Sequence, residues 1–243
     1  MTTENKLTLM EHLIELRRRL MWAALAVLIT SGICLIFANR ILTFLIQPAG
    51  NINIVYTEMA EMFSTYIKVS LGSGVALAMP LIVYHLIMFV APALTSKEKR
   101  FLYSVLPGVF AAFAAGVAFG YYILLPPAIR FLLTFGGEIA TPFIRIGNYM
   151  SVVITLLFWI GLCFELPVVI FFLAKLGIVS PRSLSKKRAF AVVGAFVLGA
   201  MVTPTSDPLN QALVAAPLIV LYEIGILLAR LAWRDRPAPG PAK

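Results

Sequence analysis

Six apolar runs, parted by short charged or proline-bearing breaks, decide what this chain can fold into. They cover residues 20–38, 66–92, 101–125, 150–175, 189–202 and 209–229. A bilayer has a hydrocarbon core about 30 Å thick, which takes roughly 20 apolar helical residues to cross. The run 189–202 is the shortest and gives only about 21 Å of helix at ~1.5 Å per residue. Such a span is accommodated by local thinning of the bilayer or by packing behind other helices. The expected fold is an all-α polytopic membrane protein of six transmembrane helices, with short fifth and sixth spans. Composition agrees, with 60% apolar and 13% charged residues against roughly 45–50% and 25% in a soluble domain. This surplus excludes a soluble enzyme, a disordered chain, a coiled coil and a disulfide scaffold.

The net charge of +9 is divided unevenly between the connections. Lys6, Arg17, Arg18 and Arg19 precede the first run, and Lys97, Lys99 and Arg100 separate the second from the third. Lys175, Arg182, Lys186, Lys187 and Arg188 lie between the fourth and fifth, and Arg230, Arg234, Arg236 and Lys243 follow the sixth. Only Arg40, Lys68, Arg130 and Arg145 belong to the opposite side. Excess Lys and Arg mark cytoplasmic loops, so both termini are expected in the cytoplasm. The basic surplus is thereby used in orientation, and no nucleic-acid partner is expected.

The two outer connections, 39–65 and 126–149, are long and mix apolar with polar residues. Connections of that length without internal structure are uncommon, so short amphipathic helices are expected there. Residues 1–19 read as a cytoplasmic amphipathic helix, 20–229 as the transmembrane domain, and 230–243 as a basic, Pro-rich, disordered tail. In the first of these, Thr8 and Glu11 have capping-box spacing. Leu9, Leu13, Leu16 and Leu20 share one face, with Glu11, Glu15, Arg18 and Arg19 turned away, as in a helix lying in the interface. The basic-then-apolar start has no small-x-small cleavage site behind it, which reads as an uncleaved anchor.

Nucleotide, metal and hydrolase motifs are missing: there is no GxxxxGK[ST], HExxH, GxSxG or CxxC. No cofactor is expected, and Cys34 and Cys163 read as buried apolar residues. The sharpest internal feature is Glu165, ten residues before Lys175 and hence about 15 Å from the membrane edge. A carboxyl at that depth costs ~2.5–3.5 kcal/mol to insert, so it should face a polar cavity or a polar group of a partner. Pro167 nearby frees a backbone carbonyl and kinks the helix. Glu223 near the cytoplasmic end reads as solvated or salt-bridged. Glu98, with Thr95 at capping-box spacing, is the one acid among Lys97, Lys99 and Arg100. Ala112, Gly116 and Gly120 form a small-xxx-small ridge of the kind that packs helices closely, within a chain or within an oligomer.

The strings "HLIELRRRL", "FVAPALTSKEKR", "FELPVVIFFL", "SKKRAFAVVGAFVLGAMVTP" and "APLIVLYEIG" together resemble the TatC family, the multispanning core subunits of twin-arginine protein translocases. The resemblance runs from about Glu11 to Arg230. It implies six spans, cytoplasmic termini and a place in the cytoplasmic (inner) membrane of a bacterial or archaeal cell. It also implies a non-enzymatic receptor and scaffold for folded precursors with Arg-Arg signal peptides, exporting them on the proton gradient. Carried over by resemblance, Glu15 and Glu98 bind the signal, with Arg17, Arg19, Phe89 and Pro92 in the same patch. Glu165 matches an intramembrane Glu where a partner helix docks. Met201, Thr203 and Gln211 resemble the contact region for TatA/TatB-type single-span subunits, with homo-oligomers inside the hetero-complex and lipid around it. Pro48, Glu61 and Asp207 fall at matching outer-face positions. Two departures stand out: "TPTSDP" is one residue longer than the family pattern, and Thr95 replaces a common aromatic.

A different function class is a proton-coupled secondary transporter using Glu165 as its intramembrane carboxylate. Such a transporter would be built from repeats with discontinuous helices in matching positions, and the sequence shows no such repeat.

Overall fold

The computed structural model describes residues 9–50, 53–90, 96–134, 143–203 and 208–234, and for 9, 11, 12, 87, 88, 90, 96–102, 104, 209 and 234 it describes the backbone alone. In chain order the elements are α1 (Leu9–Ile36), α2 (Ala38–Ile46), a 3-10 turn (Gln47–Ala49), β1 (Ile54–Val55), α3 (Glu61–Val90) and α4 (Ser96–Phe119). A π-helical turn (Gly120–Leu124), α5 (Leu125–Thr134), β2 (Ile144–Arg145), α6 (Ile146–Phe164) and α7 (Leu166–Leu176) follow. Then come α8 (Pro181–Lys186), α9 (Arg188–Val202) and α10 (Pro208–Arg234).

Among the described residues, five helical stretches are long and apolar enough to cross a membrane: Leu13–Ile36, Glu61–Leu86, Val105–Thr134, Ile146–Leu176 and Asn210–Trp233. The sixth apolar run is the 15-residue α9, short as expected. The last run is not short: α10 has 27 residues. It starts at Pro208, which needs no N–H donor in a first turn, and continues through Leu231, Ala232 and Trp233, with Ala232 buried. The third run also outlasts its expected end at residue 125. Pro126 and Pro127 fall in the first turn of α5, where proline is tolerated, so the helix passes through the π-helical turn and on to Thr134. The fourth run breaks where Pro167 requires it. Glu165 stands between α6 and α7, and Pro167 occupies the first turn of α7.

Packing centres on α6, which is apolar on nearly all sides as a central helix must be. Met150, Val153, Leu156 and Ile160 are at most 1% exposed. The ridge on α4 meets this helix inside the chain rather than in an oligomer. A Cβ at Gly116 would lie 2.7 Å from Cβ of Phe164 and 2.9 Å from Cα of Gly161. With lipid on the outside, no hydrophobic drive separates helices from solvent, so close backbone approach is what holds them. On the other flank α1 lies along α3, where Thr30 Oγ1 donates to the carbonyl of Gly74 at 2.8 Å. The third group is α7, α8, α9 and α10, tied at one end by Arg188 of α9 to Glu223 of α10 at 2.7 Å and by Tyr222 Oη of α10 donating to Leu184 O of α8 at 2.9 Å. Gly177, at φ +81°, ends α7 as only glycine does without strain.

Helix directions place the basic segments at one end, and α2, the strands and α5 at the other, here the cap. The outer connections do carry amphipathic helices, with Ala38, Leu42 and Leu45 of α2 buried. They also carry a parallel pairing of Ile54 with Ile144 and Val55 with Arg145, which an all-α reading did not include. A two-residue strand has too little periodicity to be read from sequence. Glu61 fastens this cap. Its carboxylate accepts from Thr57 N at 2.9 Å, Gly147 N at 3.1 Å and Arg145 Nη2 at 3.2 Å, and Arg145 also reaches Glu58 at 2.8 Å.

Two outcomes follow. Gly116→Ala should lower the thermal midpoint of the detergent-purified protein, with a cost of about 1–3 kcal/mol from overpacking. Gly108→Ala, where an added Cβ meets nothing within 4 Å, should leave it unchanged. Glu61→Gln should lower the midpoint by several degrees and Glu58→Gln by much less, because Glu61 is 6% exposed and joins two connections; equal effects would argue against the clasp.

Candidate functional site: a carboxylate cleft at the basic end

Residues 15, 18, 19 and 22 of α1 share one helical face by their i, i+3, i+4, i+7 spacing. Glu15, Arg18, Arg19 and Trp22 line a cavity of about 230 Å³ whose far wall is Tyr84 and His85 of α3. The Tyr84 and His85 rings meet edge to face, with centroids 5.4 Å apart. The leucine stripe is the exposed face: Leu13, Leu16 and Leu20 are 58%, 40% and 68% exposed. The charged stripe does turn away from the leucines, and what it turns toward is α3. In a membrane protein the apolar stripe meets lipid, and the charged stripe is drawn toward the protein's own polar groups.

Within this cleft the Arg19 guanidinium donates through Nη2 to Glu15 Oε1 and through Nε to the same oxygen at 3.1 Å. Their side chains are only 18% and 25% exposed. Arg17 is exposed and stands outside the cleft, on the far side of α1, whereas Arg18 lines it. Phe89 is half-buried in the last turn of α3. Glu98 belongs to the first turn of α4, at the same end as Glu15, since α3 runs down to that end and α4 leaves from it. The Glu98 side chain and Pro92 lie outside the described residues. Tyr84, His85 and Trp22 were not among the residues expected here. The signal available was His85, an ionisable group one helical turn before Phe89 at the end of an apolar run.

The second group of candidates separates into distinct roles. Glu165 is 7% exposed, and its Oε1 has no hydrogen-bond partner among the described residues. Such a buried oxygen is rare and calls for a reason. Thr203 is spent on its own helix end, donating through Oγ1 to Gly199 O at 2.8 Å. Gln211 Nε2 donates to Phe196 O at 2.7 Å, which joins α10 to α9. Met201 is 65% exposed and is the outward-facing member of the three.

Of the outer-face residues, Pro48 sits in the 3-10 turn at Gln47–Ala49 and Glu61 is the cap fastener described above. Asp207 lies outside the described residues. Among the described residues, no group of three or more His, Cys, Asp or Glu stands close enough to hold a metal ion.

Comparison with known proteins agrees with this architecture. The family described as "Sec-independent protein translocase protein (TatC)" matches residues 11–217. The Sec-independent protein translocase protein TatC of Carboxydothermus hydrogenoformans is 39% identical over 229 residues, covering 93% of this chain and 94% of that protein. That of Aquifex aeolicus is 39% identical, covering 94% and 97%, and the chloroplastic TATC of Arabidopsis thaliana is 36% identical, covering 95% and 68%. A crystal structure of a twin arginine translocase receptor, TatC, superposes with a TM-score of 0.82 at 39% identity, covering 91% of this chain and 99% of the other. With its membrane-spanning helices, its α4–α6 seam and a match across nearly its whole length, this chain belongs to the TatC family of Sec-independent protein translocase proteins.

Proposed function

We propose that this chain is the receptor and scaffold of a twin-arginine translocase. It binds the Arg-Arg signal peptides of folded precursors in the Glu15 cleft, and it recruits TatA/TatB-type single-span subunits for export driven by the proton gradient. The observation that carries this reading is the half-buried Glu15 carboxylate, already held by a guanidinium. Arg19 stands where an incoming arginine would bind. A signal guanidinium displaces it without exposing a bare carboxylate, and the second arginine of the pair reaches for Glu98 on α4. A planar guanidinium pairs with a carboxylate through two parallel bonds, which an ammonium cannot do, so the cleft favours arginine over lysine. Trp22 adds an aromatic face to which a guanidinium is attracted.

The basic segments at this end support a cytoplasmic orientation for it and for both termini, with the cap on the outer side of a bacterial or archaeal inner membrane. In this reading Glu165, with an unpaired buried oxygen, waits for a polar group on a partner helix, and Met201 belongs to the neighbouring contact surface. Gln211 and Thr203 shape that surface by holding α9 against α10 and closing the end of α9. The division into residues 1–19, 20–229 and 230–243 follows function more than shape, since α1 runs unbroken from Leu9 into the membrane.

Photocrosslinking of an Arg-Arg signal peptide and its Lys-Lys variant to membranes carrying the chain tests the receptor. Glu15→Gln and Glu98→Gln should each weaken Arg-Arg labelling by about thirtyfold, the equivalent of the roughly 2 kcal/mol at the low end for losing one partner of a charge pair. Equal labelling by both peptides, or labelling untouched in the double variant, overturns the assignment. Glu165→Ala should spare signal labelling while reducing association with single-span subunits, read by copurification. Solute-dependent proton uptake lost in Glu165→Gln would instead support secondary transport.

A further inference from the structure

Two cavities at the cap end share one residue, Phe44. The first holds about 380 Å³ and is almost wholly apolar, with Leu77, Phe110, Ala114, Ala118 and Tyr122 among its walls. Leu77, Phe110 and Tyr122 are 61%, 53% and 69% exposed, so the groove opens sideways from α3 and α4 toward the bilayer. Small residues, Ala114 and Ala118, make its floor shallow enough to admit a chain between the larger walls. The second cavity, about 240 Å³ and shallow, is of mixed polarity, with Asn39, Arg40, Thr43 and Gln47 beside Phe44 on α2 and the turn after it.

Phe44 is fixed where the two meet. Its ring stacks on Tyr121 at 4.4 Å with 7° between the planes, and its carbonyl accepts from Tyr121 Oη at 2.7 Å. Tyr121 and Tyr122 both belong to the π-helical turn, a local feature often found where function sits. Aromatic rings at this level match the headgroup region of a bilayer, where Tyr is enriched. Arg40 is exposed, one helical turn before Phe44, and makes no hydrogen bond or ion pair among the described residues.

An unpaired guanidinium in a shallow pocket with three other polar side chains, continuous through one aromatic residue with an apolar groove open to lipid, has the polarity profile of a phospholipid. We propose that the Arg40 pocket and the groove between α3 and α4 form one binding site for an anionic phospholipid of the cap-side leaflet, with its phosphate at Arg40 and an acyl chain in the groove. A soluble anion would use the pocket and leave the groove empty, and a zwitterionic lipid would gain less from a lone cation. The site is at the opposite end of α1 and α3 from the Glu15 cleft. It would brace α2 against α3 and α4 independently of signal binding.

Native mass spectrometry of the detergent-purified full chain, titrated with phosphatidylglycerol or phosphatidylcholine, tests this. Phosphatidylglycerol should bind more tightly. Arg40→Ala should cut its affinity by about fivefold (~1 kcal/mol), with phosphatidylcholine unchanged and Arg40→Lys restoring part of the difference. Ala118→Trp, which fills the groove, should reduce binding of both lipids. Arg40 is exposed, so its variants are expected to fold, and circular dichroism checks the fold of each. Equal affinity for the two lipids, or a phosphatidylglycerol preference that survives in Arg40→Ala, overturns the site. Lipid binding indifferent to Ala118→Trp, paired with loss of a copurifying single-span subunit in that variant, assigns the groove to a helix and overturns it as well.

Discussion

Inside a bilayer no water is available to satisfy a free N–H or C=O, so every backbone polar group must be paired within the protein. The whole architecture follows from that constraint. Long stretches are helical because only a helix pairs all its groups within one segment, and the helices meet through small residues because lipid gives them no hydrophobic reason to associate. The departures from regular helix occur where protein surrounds them. Glu165, between α6 and α7, is buried, with its N–H donating to Leu162 O at 3.1 Å and its own carbonyl accepting from Val169 at 2.9 Å. The π-helical turn at Gly120–Leu124 keeps Gly120, Tyr121 and Leu124 buried. Each break uses protected backbone, which is also where polar side chains become affordable in the membrane.

The same constraint sorts the charges. Glu61 lies buried in the cap with backbone N–H groups and Arg145 around it. Glu15 sits at the other end with Arg19, and Glu223 pairs with Arg188. Glu165 is the exception, with an oxygen that finds no partner among the described residues. With Glu58, which also pairs with Arg145, four of the described acids are satisfied and one is left for something else, which gives it a different standing in the proposed mechanism. Glu15 is a mixed case: its partner is an arginine of the same type as the ligand proposed for it, so the resting pair doubles as an occupied form of the site.

Much of this was legible along the chain because apolar length and Lys/Arg placement are local properties. The short α9, the break beside Pro167 and the helical connections at the cap all followed from run length, proline chemistry and mixed polarity. The cap's two-residue strands were not legible, since pairing between residues 54–55 and 144–145 joins segments too short to show a period. Nor was the continuation of α4 into α5, because a Pro-Pro pair reads as a stop unless it falls in the first turn of a resumed helix. The leucine stripe of α1 and the charged stripe opposite it were visible, but not that the charged one packs toward α3. Periodicity shows that two faces differ, and only neighbouring helices decide which one is buried.

By itself the sequence determined that the chain enters a membrane, how many apolar runs it has, which loops carry the basic charge and which acids are unusual by position. Those follow from transfer free energies, which depend on residue type and depth. Tertiary structure alone decided that the Gly116 ridge is spent against Gly161 and Phe164, that Glu15 faces Tyr84 and His85, and that Gln211 joins α10 to α9. Each of these depends on which surfaces are brought within a few ångströms, and contact of that kind is a property of the packed helices that no single segment carries.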